Sequence, residues 1–153
     1  MTIELIYWDS ATFLAHFQSE KGRVELCAGT LARAKAGEVC IVTSALALAE
    51  CLWLRNEPPV QKARAEIVRK FFRHSYIRVR NVTRSVSESA QDLVWDHGVR
   101  PKDAIHVATA LEAKVLVIET FDKAFIAKSG LIGTPPIIIR EPIGPAQKRL
   151  DLQ

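Results

Sequence analysis

Short apolar runs rich in β-branched side chains alternate along this chain with longer stretches whose apolar residues recur at helical spacing, and that alternation restricts the fold more than any other feature. Residues 3–8, 39–43, 76–80, 115–119 and 137–140 read as strands. Residues 10–17 read as a helix, and Val24, Cys27, Ala28 and Leu31 mark a second, with Gly37 where a left-handed C-cap belongs. Ser44 is placed to cap a third, in which Leu46, Ala49, Glu50 and Trp53 share one buried stripe. Pro58 and Pro59 break the chain before a helix that turns Val60, Ala63, Ile67 and Phe71 inward. Val86, Ala90, Leu93, Val94 and His97 mark the next, closed by Gly98. Pro101 opens another to about residue 113, packed through Ala104, Val107, Ala108 and Leu111, and residues 122–128 form a short one ending at Gly130. Strands alternating with helices predict an α/β protein: one three-layer α/β/α domain over residues 1–153 with a parallel sheet of about five strands, roughly the last dozen residues forming a flexible tail. Such sheets bind ligands outside the carboxyl ends of their strands, where the strand order switches direction.

Four carboxylates fall at places this architecture would bring together. Asp9 and Asp122 follow predicted strands, Asp103 lies in the first turn of a helix, and Glu50 interrupts an apolar stripe. Each has a plainer reading. Asp9, Asp103 and Asp122 are suited to cap a helix or to complement its dipole, and Glu50 could be neutralised by a buried arginine. Taken together they point to a shared site. Gathered carboxylates repel one another and resist desolvation, and a divalent cation such as Mg²⁺ or Mn²⁺ relieves both penalties. Metal-dependent phosphodiester chemistry is the class of activity this predicts, with Glu50 facing Asp9 and open space for an ion. Glu50 pointing away from Asp9, or an arginine lodged among the acids in place of open space for an ion, would undo the assignment.

Charge distribution fits a polyanionic substrate. Between residues 55 and 84 stand Arg55, Lys62, Arg64, Arg69, Lys70, Arg73, Arg78, Arg80 and Arg84 against only Glu57 and Glu66, although the whole chain carries a formal charge of just +4. Lys62, Arg64, Arg69 and Lys70 are the candidate substrate contacts on that helix, and Arg100 and Lys102, flanking Asp103, could hold phosphates. A solvated helix face is the bland alternative for both sets. Cys27, Cys40 and Cys51 are odd in number and lack metal-ligand spacing, so reduced, buried packing residues are expected. No apolar stretch approaches the ~20 residues of a membrane span, and the segment Met1-Thr2-Ile3-Glu4 has no signal-peptide character, so a cytoplasmic protein is expected. His106 reads as a packing residue more readily than as a ligand.

These residues resemble the PIN-domain family, most closely its VapC-like toxin ribonucleases. The resemblance is carried by Tyr7-Trp8-Asp9-Ser10-Ala11-Thr12-Phe13-Leu14, by Ala49-Glu50, by Lys102-Asp103-Ala104-Ile105-His106-Val107-Ala108-Thr109-Ala110 and by Thr120-Phe121-Asp122-Lys123-Ala124-Phe125. It implies a PIN-like fold in which Asp9, Glu50, Asp103 and Asp122 are the catalytic, metal-binding acids for Mg²⁺ or Mn²⁺. By the same resemblance Thr120 would orient the first or last acid and Ser10 would assist at the first. The implied activity is endoribonuclease hydrolysis of RNA, as the toxin of a type II pair with a protein antitoxin that covers a hydrophobic groove, in a homodimer. Ala11 departs from the polar or larger residue many members carry, without touching the acidic set.

Three other readings compete. A housekeeping RNA-processing nuclease would share the site, but the short chain without an appended domain favours a toxin. A non-catalytic RNA-binding module would use the basic middle alone, against which all four acids are present. A receiver-like phosphoacceptor would need an acidic pair after the first strand and a lysine after a late one, and neither is found.

Overall fold

The computed structural model describes residues 2–52 and 61–144. Its elements run β1 (Glu4–Trp8), α1 (Ser10–Phe17), α2 (Val24–Lys35), β2 (Val39–Ser44), α3 (Leu46–Glu50), α4 (Lys62–Phe71), β3 (Ile77–Arg80), α5 (Arg84–His97), α6 (Pro101–Glu112), β4 (Val117–Glu119), α7 (Lys123–Ile126) and β5 (Ile138–Arg140). The five strands form one sheet in the order β3-β2-β1-β4-β5, every pairing parallel. This is the expected α/β arrangement, a five-stranded parallel sheet packed by helices on both faces.

The side-chain alternation of the strands divides the core into two layers. Tyr7, Val42, Ile118 and Ile139 pack with α5 and α6 residues such as Ala90, Leu93, Ala104 and Val107. Ile6, Trp8 and Ile41 belong to a second cluster with Phe13, Cys27, Leu31, Val68 and Phe72 from α1, α2 and α4. Parallel strands covered on both faces need apolar residues throughout, and all six residues of β2 are buried. Caps end the helices where the sequence implies: Gly98 takes a left-handed φ of 63° after α5, and Gly37 has φ 82° just beyond α2. Cys27, Cys40 and Cys51 are free and buried. No helix among the described residues is long and apolar enough to cross a membrane.

Two helices differ from their sequence pattern. The expected buried stripe of α3 does not form, because the helix is only five residues long: Ala47 is its buried residue, Ala49 is exposed, and Glu50 sits half-buried at its last position. Ser44 Oγ does accept from the Leu46 N–H at 3.1 Å. Helix α4 is rotated from the expected stripe. Ile67 is 67% exposed, whereas Val68 and, just past the helix end, Phe72 are buried against Phe13, whose ring centroid lies 4.7 Å from that of Phe72. Four strands are trimmed by a residue or two, most visibly β4, where Val115 is buried ahead of the strand, and β2 runs one residue further, to Ser44. Trp53, Pro58, Pro59, Val60 and the expected tail from residue 145 onward lie outside the described residues.

Candidate active site

Neighbouring strands β1 and β4 send the chain away in opposite directions, β1 toward β2 and β4 toward β5, so a crevice opens beyond their carboxyl ends. Asp9 leaves β1 at this point and caps α1. Its Oδ1 accepts from the Thr12 N–H at 3.1 Å and the Thr12 hydroxyl at 2.8 Å, and its Oδ2 accepts from the Thr120 hydroxyl at 2.6 Å. Asp9 is 4% exposed. Burial raises its pKa, opposed by the positive influence of His106 and by those hydrogen bonds. The bonds orient the carboxyl group without supplying a counter-charge.

Glu50 reaches the same crevice from α3. Its Oε1 accepts from the Ser10 hydroxyl at 2.5 Å and lies 3.0 Å from His106 Nε2. Burial, the largest influence, works against its charge, but the His106 and Ser10 bonds together with the positive influence of His106 and Lys102 leave its pKa below the usual carboxylate value.

Asp103, in the first turn of α6, and Asp122, the N-cap of α7, share a cation. Arg100 approaches Asp103 Oδ2 with Nε at 3.1 Å and Nη2 at 3.0 Å, and the same Nη2 donates to Asp122 Oδ2. Asp122 Oδ1 meanwhile accepts from the Ala124 and Phe125 N–H groups at 2.9 and 3.3 Å. Burial raises the Asp103 pKa, with the Arg100 guanidinium opposing it. The Arg100 side chain is 63% exposed. All four carboxylates, with Ser10, Arg100, Lys102 and His106, line one open cavity of about 540 Å³.

The cavity thus gathers the four acids from four elements, but not in the arrangement the sequence suggested. Glu50 is turned to Ser10 and His106 rather than to Asp9, Ser10 serves Glu50 instead of the first acid, and an arginine bridges two of the acids. Among the described residues no group of three or more His, Cys, Asp or Glu side chains sits at ligand spacing. The Thr120 hydroxyl is bonded to the first acid, and its oxygen also accepts from the Asp122 N–H at 3.2 Å. Lys62, Arg64, Arg69 and Lys70 are exposed on α4 and do not line the cavity; Arg64 donates to Phe17 O at 3.2 Å, and Arg69 pairs with Glu66 at 3.4 Å. Sequence reasoning missed Thr12 and Tyr7 and treated His106 as packing. Thr12 had a signal, since it stands at the third helical position after a capping Asp.

The donor chemistry fits a hard divalent cation: every acid offers carboxylate oxygens, and Asp9 combines burial with hydrogen-bond partners that are all neutral. Arg100 does not close the site to one, because its guanidinium stands on a long exposed arm whose ion pairs contribute at most about 1 kcal/mol.

The sequence profile of the PIN domain matches residues 6–131. No curated protein matches the chain by sequence. Similar solved structures include Mycobacterium tuberculosis VapC20, described as a sarcin-ricin loop cleaving toxin, with a TM-score of 0.62 and 23% identity over 80% of this chain and 93% of that one. A toxin–antitoxin complex from Klebsiella pneumoniae has a TM-score of 0.60 at 18% identity, covering 87% of this chain and 99% of the other. VapBC2 from Rickettsia felis, bound to a DNA fragment from its promoter, has a TM-score of 0.61 at 12% identity, covering 90% and 98%. At these identities the likeness establishes a shared fold.

Proposed function

This chain belongs to the PIN-domain family, and from that premise we propose that it is a Mg²⁺- or Mn²⁺-dependent endoribonuclease, the toxin of a toxin–antitoxin pair. The observation that carries the reading is the cavity lined by Asp9, Glu50, Asp103 and Asp122, in which Asp9 is a buried carboxylate whose bonded partners are all neutral. In this reading the four acids hold the cation, which when bound supplies Lewis acidity at the phosphate and lowers the pKa of the attacking water. Thr12 and Thr120 hold Asp9 in one orientation, and Ser10 holds Glu50. Arg100, released from Asp103 and Asp122, and exposed Lys102 then bind the phosphates flanking the scissile bond; Arg100 is suited to this because its planar fork engages two phosphate oxygens at once. No side chain is needed as a covalent nucleophile.

Partners follow from the same reading. Substrate RNA would extend from the cavity toward the basic face of α4, a protein antitoxin would silence the enzyme, and two copies would form a homodimer. The toxin neighbours support the antitoxin at the level of fold. Incubating purified protein with total RNA in Mn²⁺, Mg²⁺ or chelator tests the activity: cleavage that needs the cation supports it, and cleavage undiminished in chelator overturns it. Growth arrest on expression, relieved by the product of the adjacent reading frame, tests the toxin assignment against a housekeeping nuclease. The bridge from Arg100 to two of the acids favours one second reading, a non-catalytic RNA-binding module, which requires RNA binding with no cleavage under any cation.

A further inference from the structure

We propose that His106 is a positioning residue which, tethered by Tyr7, holds Glu50 with one carboxylate oxygen tied down and the other free to face the cavity. The inference rests on the nuclease reading above.

His106 lies one turn beyond Asp103 on α6 and is 2% exposed. Both ring nitrogens are engaged. Nδ1 is 2.6 Å from the Tyr7 hydroxyl on β1, with the rings edge to face at 5.6 Å, while Nε2 is 3.0 Å from Glu50 Oε1 on α3 and 3.4 Å from Ser10 Oγ on α1. Residues from three other elements therefore converge on one imidazole. A carboxylate oxygen accepts, so the Nε2 contact is an N–H donated to Glu50 Oε1, while Nδ1 pairs with the Tyr7 hydroxyl. The Ser10 hydroxyl donates to that same oxygen at 2.5 Å. Oε1 takes both bonds, and Oε2 takes neither.

Glu50 needs such a tether more than the other acids do. Asp9 and Asp122 are fixed by capping their own helices, whereas Glu50 has a longer side chain and ends a helix of only five residues. Without the imidazole, ordering it would oppose cation binding at the moment of binding. Direct ligation by His106 would require one of its two bonds to break. A purely apolar role would be served as well by leucine.

The test uses the full chain with Mn²⁺ as probe, its affinity read by electron paramagnetic resonance of the free ion, alongside RNA cleavage and thermal melting. His106→Leu keeps bulk and removes both bonds, His106→Gln keeps a donor near the Nε2 position, and Tyr7→Phe removes only the tether. Expected is a roughly 10-fold loss of Mn²⁺ affinity in His106→Leu, the scale typical of groups that orient metal ligands. His106→Gln should recover most of it at a similar melting temperature, with Tyr7→Phe in between. Equal Mn²⁺ affinity in wild type, His106→Leu and Tyr7→Phe overturns the positioning role alone, as does a His106→Gln no better than His106→Leu. Absence of Mn²⁺ binding in the wild type overturns the metal reading and this inference with it. Should His106→Leu fail to fold, Tyr7→Phe decides.

Discussion

Two pairs of acids share the cavity and are held by opposite means. Asp9 and Glu50 are bound by uncharged hydroxyls, a backbone N–H and an imidazole, whereas Asp103 and Asp122 are bridged by a single guanidinium. Hydroxyl and amide donors fix direction and supply no counter-charge. A guanidinium cancels charge but must withdraw before another cation can use the same oxygens. The difference suggests a division of labour: the pair held by hydroxyls and imidazole is prepared in advance, and the bridged pair is guarded by an arm that can swing to a phosphate.

The largest effect should come from breaking the prepared pair. Asp9→Asn keeps an oxygen for the two Thr12 bonds and can still meet Thr120, so the fold should survive by circular dichroism, while metal-dependent RNA cleavage falls by at least about 100-fold, beyond the range of groups that merely orient ligands. Cleavage by this variant at the wild-type rate would remove Asp9 from the chemistry. Next are the cations that lie outside the cavity. Replacing Lys62, Arg64, Arg69 and Lys70 together with Gln should weaken RNA binding and flatten the slope of log affinity against log salt by about 0.7 for each phosphate the helix no longer neutralises; unchanged affinity at low salt would make α4 a solvated face.

A smaller effect is expected from removing the guard. Arg100→Ala should tighten Mn²⁺ binding roughly fivefold by calorimetry, because up to about 1 kcal/mol of exposed ion pairing no longer opposes it. Weaker Mn²⁺ binding would mean that the arginine supports the site instead of guarding it. Glu119 sharpens the comparison from outside the cavity, since it is a 1% exposed acid held by two neutral donors, Trp8 Nε1 at 2.8 Å and the Thr30 hydroxyl at 2.7 Å. Burial raises its pKa against those bonds. An acid whose folded pKa lies above its unfolded one contributes stability that is complete below the unfolded value and is lost as pH rises through the folded value. Glu119→Gln, which keeps an accepting oxygen for both donors, should therefore flatten the stability profile across that window and raise the melting temperature at neutral pH by a few degrees. Identical profiles in denaturant titrations from acid to neutral pH would contradict the assignment.

Much of this architecture is legible locally. The order of strands and helices, the left-handed glycines after α2 and α5, and the placement of Asp9 and Asp122 at strand ends all follow from period and cap chemistry within a few residues. Helix α4 departs from its pattern because its sequence carries two overlapping apolar stripes, one through Ala63 and Ile67 and one through Ala65 and Val68 toward Phe72; contact with Phe13 selects the second. For Glu50 the discrepancy has a different origin. The pattern implies a long buried stripe around its carboxylate, yet α3 ends at that residue, so its importance comes from Ser10 and His106 instead.

From its sequence alone this protein was already committed to a parallel sheet with four acids directed to one end, because strand alternation, helix period and capping are properties of neighbouring residues. Which acid meets which partner was decided only by the packed structure. Tyr7 and His106 are 99 residues apart, and Thr120 and Asp9 are 111 apart. They meet because β1 pairs with β4 in the register that sets Tyr7 beside Ile118, and because α6 packs in the core layer that Tyr7 shares. Register and packing of this kind arise from the summed burial of two core layers, which no short window of residues encodes.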